Sequence, residues 1–488
     1  HMGALYAAST PVTPMVCAAC ITGGYKILDA VLRAEGVFTH TTALDAYRGY
    51  GRAESCYVIE RMINRLAQEI EMDPVALRRK NFIQPDEFPY ATAMNNVYDN
   101  GHYEVSLARA LELLDYDALR AQQRIARTEG HFLGIGISTH VWRGGFRSTK
   151  SMGIDNWVMG GWEKSTVTVS DNGGITVTTG TCSIGQGIVT ATAQIVADVL
   201  SVDIASIHVI EKDTFAAPHG NGSMGSRSLI VGGSATLLAA KKVRQKLQRL
   251  AAHLLGVGED ELELREGRVV VSHQPERSVP LYEVARLSQR GEADQPPGTE
   301  PVIEETAVFE LPEFAPEYAT HTAAWGTHIC VAEVEPDTGK IDIQRYVAVD
   351  DLGRVVNPKI VAGQIHGGVA QGLGQALMEE AVYDDDGQLL TSSFLDYCTP
   401  RAADMPWLEV AFTETPNPTV PLGARSVGEA GVCGASPALV NAVVDALSPL
   451  GITHIDMPLR PEKIWQAINE ARHNAPVSTP YKTEAGQR

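Results

Sequence analysis

Cysteine is scarce in this sequence. Seven cysteines stand among 488 residues, and Cys17, Cys20, Cys56, Cys182, Cys330, Cys398 and Cys433 are too scattered for a disulfide framework. One C-x-x-C, Cys17 to Cys20, has no second pair and no nearby histidine cluster. Buried apolar thiols are therefore favoured over a zinc or redox site, and the four spaced thiolates of an iron–sulfur cluster are missing. Basic charge is short as well. Lys and Arg number 40 against 59 Asp and Glu, a formal net charge of −19, which argues against nucleic acid or an anionic membrane surface as partner, because both need clustered cations. No uninterrupted apolar run approaches the length of a membrane span, and the first residues lack the charged, apolar and cleavage regions of a secretory signal. A cytoplasmic protein is expected. His1-Met2 reads as a cloning remnant, so the gene is not expected to begin there. The Lys-Ser/Thr of a P-loop and the spacing of a Rossmann fingerprint are absent too, which removes nucleoside triphosphate as the natural ligand.

What is present fits a globular chain with room for two to four packing units. Apolar residues make up 44% and charged residues 20%, so disorder is not the default. Apolar periodicity predicts a helix over 53–70, with Val58, Ile59, Met62, Ile63, Leu66 and Ile70 on one face, then a short helix Val75–Lys80 capped by Asp73-Pro74. Further helices are predicted over 106–126, 190–200, 235–255 and 281–289, and from 363 through Glu380. One more follows Ser436-Pro437, read as N-cap and first-turn proline. Hairpins are predicted at 166–170 with 175–179 and at 329–334 with 341–349, and single strands at 207–210, 269–272 and 408–413. The Gly-rich crossing Thr139–Gly161 shows no readable conformation. Hairpins, lone strands and helices in irregular order predict an α+β fold of mixed α/β layers. The Pro/Gly linker Gly291–Pro301 puts a boundary near 290–310, dividing subdomains 1–300 and 301–488.

Four loops concentrate glycine, hydroxyls and single charged side chains. Pro421–Ser436 sets Glu429 between Gly428 and Gly431, where the backbone can come close to a ligand. Arg48 and Tyr50 sit in a Gly-bracketed loop at a helix N-terminus, a geometry that gathers anions. Gly180–Gly187 and Pro218–Ser228 each deliver the chain into a helix, the layout that presents backbone N–H groups to phosphate. Two such loops suggest one extended anionic ligand shared between them. Taken singly, each has a plain alternative: a solvated turn, or an Arg paired with a surface carboxylate. His366, in Gly363–Gly372, reads as a structural or hydrogen-bonding histidine, since no second His stands at ligand spacing.

Taken together, DAYRGYGRAESCYVIERM (45–62), TGTCSIGQG (179–187), GSMGSRS (222–228), GQIHGGVAQGLGQAL (363–377) and GARSVGEAG (423–431) resemble the molybdenum-binding large subunit of the xanthine dehydrogenase/aldehyde oxidase/carbon monoxide dehydrogenase superfamily, in that family's order. The resemblance implies a molybdenum cofactor, in its bacterial molybdopterin cytosine dinucleotide form, and hydroxylation with water-derived oxygen. By residue, it implies Glu429 as general base and Arg48 as the arginine facing the molybdenum, with Tyr50 presented to substrate. Cofactor contacts are implied at Gln186, Gly187, Gly225, Ser226, Arg227, Ser228, Gln364, Ser426, Val427 and Gly428. No protein residue is implied as a metal ligand. Gly49 stands where carbon monoxide dehydrogenases carry a copper-ligating cysteine, and Val16 where purine-oxidising relatives carry an arginine. Aldehydes and N-heteroaromatic rings remain as substrates. Family large subunits carry roughly three hundred further residues before this segment, the size of a separate domain, including a Phe-Gly-Gly loop and a glutamine not found here. The second molybdenum domain alone is therefore expected. It would be incomplete by itself and would need a chain bearing the first domain, with iron–sulfur (2Fe-2S) and FAD proteins as electron partners. The alternative is a non-catalytic structural or assembly subunit, or a truncated fragment.

Overall fold

In Phe132–Gly144 the alternation of a strand sorts side chains to two faces. Ile135, Ile137 and Val141 enter a core with Ile59, Tyr103, Trp325 and Val347, while Gly134, Gly136, Ser138 and His140 face the other way. On that second face a Cβ at Gly134 or Gly136 would collide with the carbonyl oxygens of Ala442 and Ala438. The strand thus lies flush against the helix Ala430–Leu447. This contact organises the computed structural model, which describes residues 1–7, 9–145, 148–150, 160–290, 295–298, 300–313 and 319–474.

The long strand Ala319–Val334 is the axis of a six-stranded sheet. It pairs antiparallel with Phe132–Gly144 on one side and with Ile341–Asp351 on the other. Leu408–Thr413 extends the sheet in parallel beyond Ile341–Asp351, and Asn96–Tyr98 with Tyr90–Ala91 closes the far end. A second sheet runs Ile303–Glu310, Trp162–Val169, Ile175–Thr179, Ile207–Ile210. The helices Ile188–Leu200 and Ser234–Leu255 close over it through Val196, Leu200, Val243 and Leu247. A small three-stranded sheet, Leu262–Arg265, Arg268–Val271 and Gln274–Pro280, joins the same core. Each of the two larger sheets draws strands from both sides of residue 300. The α+β architecture expected from the sequence is the one observed.

Element limits agree closely at Arg52–Glu69 and at Pro74–Asn81, where the Asp73 carboxylate accepts from the amides of Val75 and Ala76. The helix predicted over 106–126 is two helices, Tyr103–Leu114 and Tyr116–Thr128, parted by Asp115 in a left-handed conformation. Ser234–Leu255 is preceded by a π-helical turn, Ser228–Gly233. Thr139–Gly144 of the unread crossing is strand, but much of its remainder, like part of the 291–301 linker, lies outside the described residues. The largest correction concerns the last predicted helix. It begins at Ala430, six residues before Ser436, so Pro437 stands inside it, and the Ser436 hydroxyl donates to Gly372 O (2.9 Å) instead of capping. Ala430, Gly431, Gly434 and Ala435 looked like loop residues because they are small. Here their smallness serves packing: a Cβ on Gly431 would strike the Gly368–Val369 backbone of the helix Pro358–Leu377, and one on Gly372 would lie 2.7 Å from Ala435 Cβ. By length and composition alone, Ala430–Leu450 could cross a membrane, yet 94% of its most apolar 18-residue window is buried inside the fold, which makes it a core helix.

Candidate active site

All five of the glycine-rich motif segments meet at one cavity of about 650 Å3. Its walls include Arg48, Tyr50, Gln186, Gly187, Gly225, Ser226, Ser228, Gln364, Val427, Gly428 and Glu429. Glu429 is the N-cap residue of Ala430–Leu447 and only 6% exposed. The helix N-terminus favours a carboxylate there. The Ser226 hydroxyl donates to Glu429 Oε2 and accepts from the Gly428 amide (3.1 Å). A residue 203 positions away thus fixes one carboxylate oxygen, and Oε1 has no hydrogen-bond partner among the described residues. Arg52 is wholly buried beneath this group. Burial is the largest single influence and works against its charge, but the Glu429 carboxylate together with Cys20, Tyr50 and Cys433 outweighs it and holds Arg52 above its ordinary value. The Arg52 guanidinium lies 5.4 Å from the Tyr50 ring centroid, a cation–π contact that steadies the aromatic at the cavity wall.

Arg48 reaches across from its loop. Its Nε donates to Gly428 O, Nη1 to Gln371 Oε1 (3.0 Å), and Nη2 to Gln364 O and Oε1 (2.9 and 3.2 Å). Gly49 makes this approach feasible: with φ of +83°, a Cβ there would stand 2.7 Å from Val432 Cγ1 of the Glu429 helix.

Two expected cofactor contacts sit elsewhere. Arg227 is not on the cavity wall. Its guanidinium is buried against Glu163 Oε2 (2.6 Å), Gly222 O (2.7 Å) and Trp162 O (2.6 Å), where it pins the 222–228 loop to the second sheet. Ser426 is buried off the wall, its hydroxyl without a partner. Gln186 lines the cavity, but its amide braces its own loop, donating to Cys182 O (2.9 Å) and accepting from the Ile184 amide (2.7 Å). His366 is exposed and makes no hydrogen bond among the described residues, contrary to the structural role expected. Cys20 is buried, and burial, with Glu54 adding to it, pushes the Cys17 thiol up to about 12, as inert thiols require.

Two family models, both described as molybdopterin cofactor-binding domain, match residues 109–406 and 1–82. The chain belongs to the molybdenum hydroxylase large subunits. It is 35% identical over 459 residues to the carbon monoxide dehydrogenase large chain of Hydrogenophaga pseudoflava, covering 93% of this chain and 55% of that one. The reconstituted carbon monoxide dehydrogenase of Oligotropha carboxidovorans superposes with a TM-score of 0.86 at 35% identity, over 93% of this chain and 56% of that one. Quinoline 2-oxidoreductase of Pseudomonas putida 86 gives 0.84 at 32% identity, over 93% and 57%. This molybdenum hydroxylase chain spans about half the length of the curated relatives it matches. The match at residues 1–82 corrects one expectation. Sequence of both molybdenum domains is present, not of the second alone.

Sequence reasoning missed a buried cluster behind the Glu429 helix. His140 Nε2 and His328 Nε2 lie 3.1 and 3.3 Å from the two oxygens of Asp350, and His328 Nδ1 lies 2.9 Å from the Tyr346 hydroxyl. His140, His328 and Asp350 are fully buried and gather their ligand-type atoms within 4.8 Å. Both imidazoles donating from Nε2 to one carboxylate, with Tyr346 donating to His328 Nδ1, satisfies this set by hydrogen bonds, apart from His140 Nδ1. Gly434 leaves room for it, since a Cβ there would lie 2.7 Å from His140 Cε1. No spacing rule flags residues 140, 328 and 350. Only the pairing of their three strands brings them together.

This cluster makes stability pH-dependent. Burial lowers the His328 pKa below its ordinary 6.5. Burial pushes Asp350 up, but the two imidazoles outweigh it and hold the carboxyl below its usual range. Both folded pKa values are depressed, so the unfolded chain takes up protons first and stability falls with pH. The His328 contribution is present above about pH 6.5 and declines below it. Melting temperatures across pH 7.5 to 5 should fall in the wild type and change less in His328→Asn. An equal slope in both would remove His328 as the source.

Proposed function

We propose that this chain forms the cofactor-bearing part of a hydroxylase that places water-derived oxygen on an aldehyde or N-heteroaromatic carbon, with Glu429 as general base. The observation that carries this is convergence. A buried carboxylate, an arginine bonded to the adjacent Gly428 from 380 residues away, and two glycine-and-hydroxyl loops wall one cavity. The residues fit a molybdopterin cytosine dinucleotide. The cavity falls within the usual size of small-molecule sites, Arg48 faces no carboxylate at ion-pair distance among the described residues, and the cavity-lining Gly187 is the N-cap of Ile188–Leu200 with no side chain capping the amides that follow. When bound, that group supplies the metal centre that accepts the electrons of oxidation. This chain's own residues do the rest. Glu429 holds and moves a proton at Oε1 while Ser226 anchors Oε2, Tyr50 offers an aromatic face to a flat substrate, and Arg48 places positive charge at the wall. We further propose a partner contributing the enclosing part of the site, 2Fe-2S and FAD proteins removing electrons, and a cytoplasmic setting, in keeping with seven free cysteines.

The test is analysis of the protein purified with its partners from molybdenum-sufficient cells. Molybdenum and cytidine nucleotide bound to it would support this reading, whereas metal-free protein in the intact complex would favour a structural or assembly subunit. Carbon monoxide oxidation is disfavoured because Gly49 stands where the resemblance implies a copper-ligating cysteine, and a side chain there would meet both a left-handed backbone and Val432 Cγ1. Gly49→Cys should therefore lower stability by about 1–3 kcal/mol, the cost of overpacking, in urea melts. An unchanged midpoint would show that the loop can take a side chain there.

A further inference from the structure

The guanidinium of Arg48 is bonded wholly to neutral acceptors. Three segments supply them: the Gly428 carbonyl, the carbonyl and amide oxygen of Gln364, and the amide oxygen of Gln371. Among the described residues no carboxylate lies at ion-pair distance; burial holds Arg48 below its ordinary value, and the Glu429 carboxylate, beyond hydrogen-bond reach, offsets only part of that cost. A partly buried cation held this way keeps its full charge and has lost part of its hydration. Such an arrangement orients the charge without neutralising it.

Gln371 stands seven residues after Gln364 on the same helix, two turns on, so both amides reach the same side. Its orientation follows from chemistry. A guanidinium only donates, so Gln371 must turn Oε1 to Arg48, which leaves Nε2 to donate to the Tyr47 hydroxyl (2.8 Å). The chain Arg48, Gln371, Tyr47 is therefore directional, and Gln371 is held from both ends. A glutamate would fit the same space but would give Arg48 a counter-ion. The amide differs from it in charge and not in shape.

We propose that Gln371 is a positioning residue that aims the charge of Arg48, which has no directly paired carboxylate, at an anionic group of the cavity's ligand. This rests on the hydroxylase reading above. Wild type, Gln371→Glu and Gln371→Leu are to be produced with the partner proteins in molybdenum-sufficient cells. Molybdenum and pterin per chain are then measured after gel filtration at rising chloride, together with the melting temperature of cofactor-stripped protein.

Gln371→Glu is expected to lower retention about tenfold, the effect of roughly 1.4 kcal/mol of lost affinity, while its stripped melting temperature holds or rises, because the new carboxylate pairs with Arg48. Gln371→Leu should lose less, having removed the clamp without neutralising the charge. A merely structural Gln371 predicts that retention and melting temperature fall together. That result overturns the inference, as does wild-type retention in Gln371→Glu. Wild type that binds no molybdenum even with its partners overturns the hydroxylase reading and this inference with it, so the two failures are distinguishable.

Discussion

Glu429→Gln is expected to keep molybdenum and pterin at wild-type levels and to lower turnover by about 10²–10⁴-fold, the range for removing a positioned general base. The substitution is nearly isosteric. The amide oxygen can still accept from the Ser226 hydroxyl, so the 222–228 and 423–431 loops stay joined and the cavity wall is unchanged. What is lost is the capacity of the Oε1 position to take a proton. Arg52 and the helix N-terminus both favour an anion at this spot, so a neutral side chain costs little stability beyond those attractions. Metal content and steady-state rate measured on the same preparation separate the two effects. Turnover within a few-fold of wild type at full molybdenum content would remove Glu429 as the base.

Arg227→Ala should destabilise the fold by about 3–5 kcal/mol, the cost of leaving a buried charge without its partner. Both members of the Arg227–Glu163 pair are buried, and the guanidinium also satisfies Gly222 O and Trp162 O. Without it, Glu163 keeps the Asn221 amide (3.3 Å) but its charge has no counter-ion. The loop that sets Ser226 against Glu429 loses its anchor on the second sheet, so cofactor content should fall in proportion to stability and recover when the temperature is lowered. Urea melts of the variant measure the first effect and molybdenum analysis at two temperatures the second. A loss of stability below about 1 kcal/mol would show that the pair is not what pins this loop.

The fate of the arginines shows how far sequence motifs reach. Arg48 and Arg227 both stand in glycine-rich loops, and both were expected to face the cofactor. The motif fixes where the loop goes. Which way a long side chain turns depends on whether a carboxylate waits in the neighbouring layer. Glu163 waits for Arg227 from the second sheet, while Arg48 meets only amides and carbonyls. The helix start at Ala430 was missed for a similar reason. Ser436-Pro437 carries strong local capping signals, but the groove between Phe132–Gly144 and Pro358–Leu377 admits a helix only where side chains are smallest, at Gly431 and Gly434. Packing overrode the cap. The buried His140, His328 and Asp350 left no local signal at all.

By itself the sequence determined the α+β class, most of the helices and strands and the family, because periodicity and short glycine motifs are local properties of the chain; it also singled out Glu429 as the residue to test as base. Tertiary structure alone decided that Ser226 bonds Glu429, that Gln371 accepts from Arg48 and that Arg227 turns away from the cavity. Those are contacts between residues tens to hundreds of positions apart, and a hydrogen bond or ion pair is set by angstroms in space, which no spacing along the chain encodes.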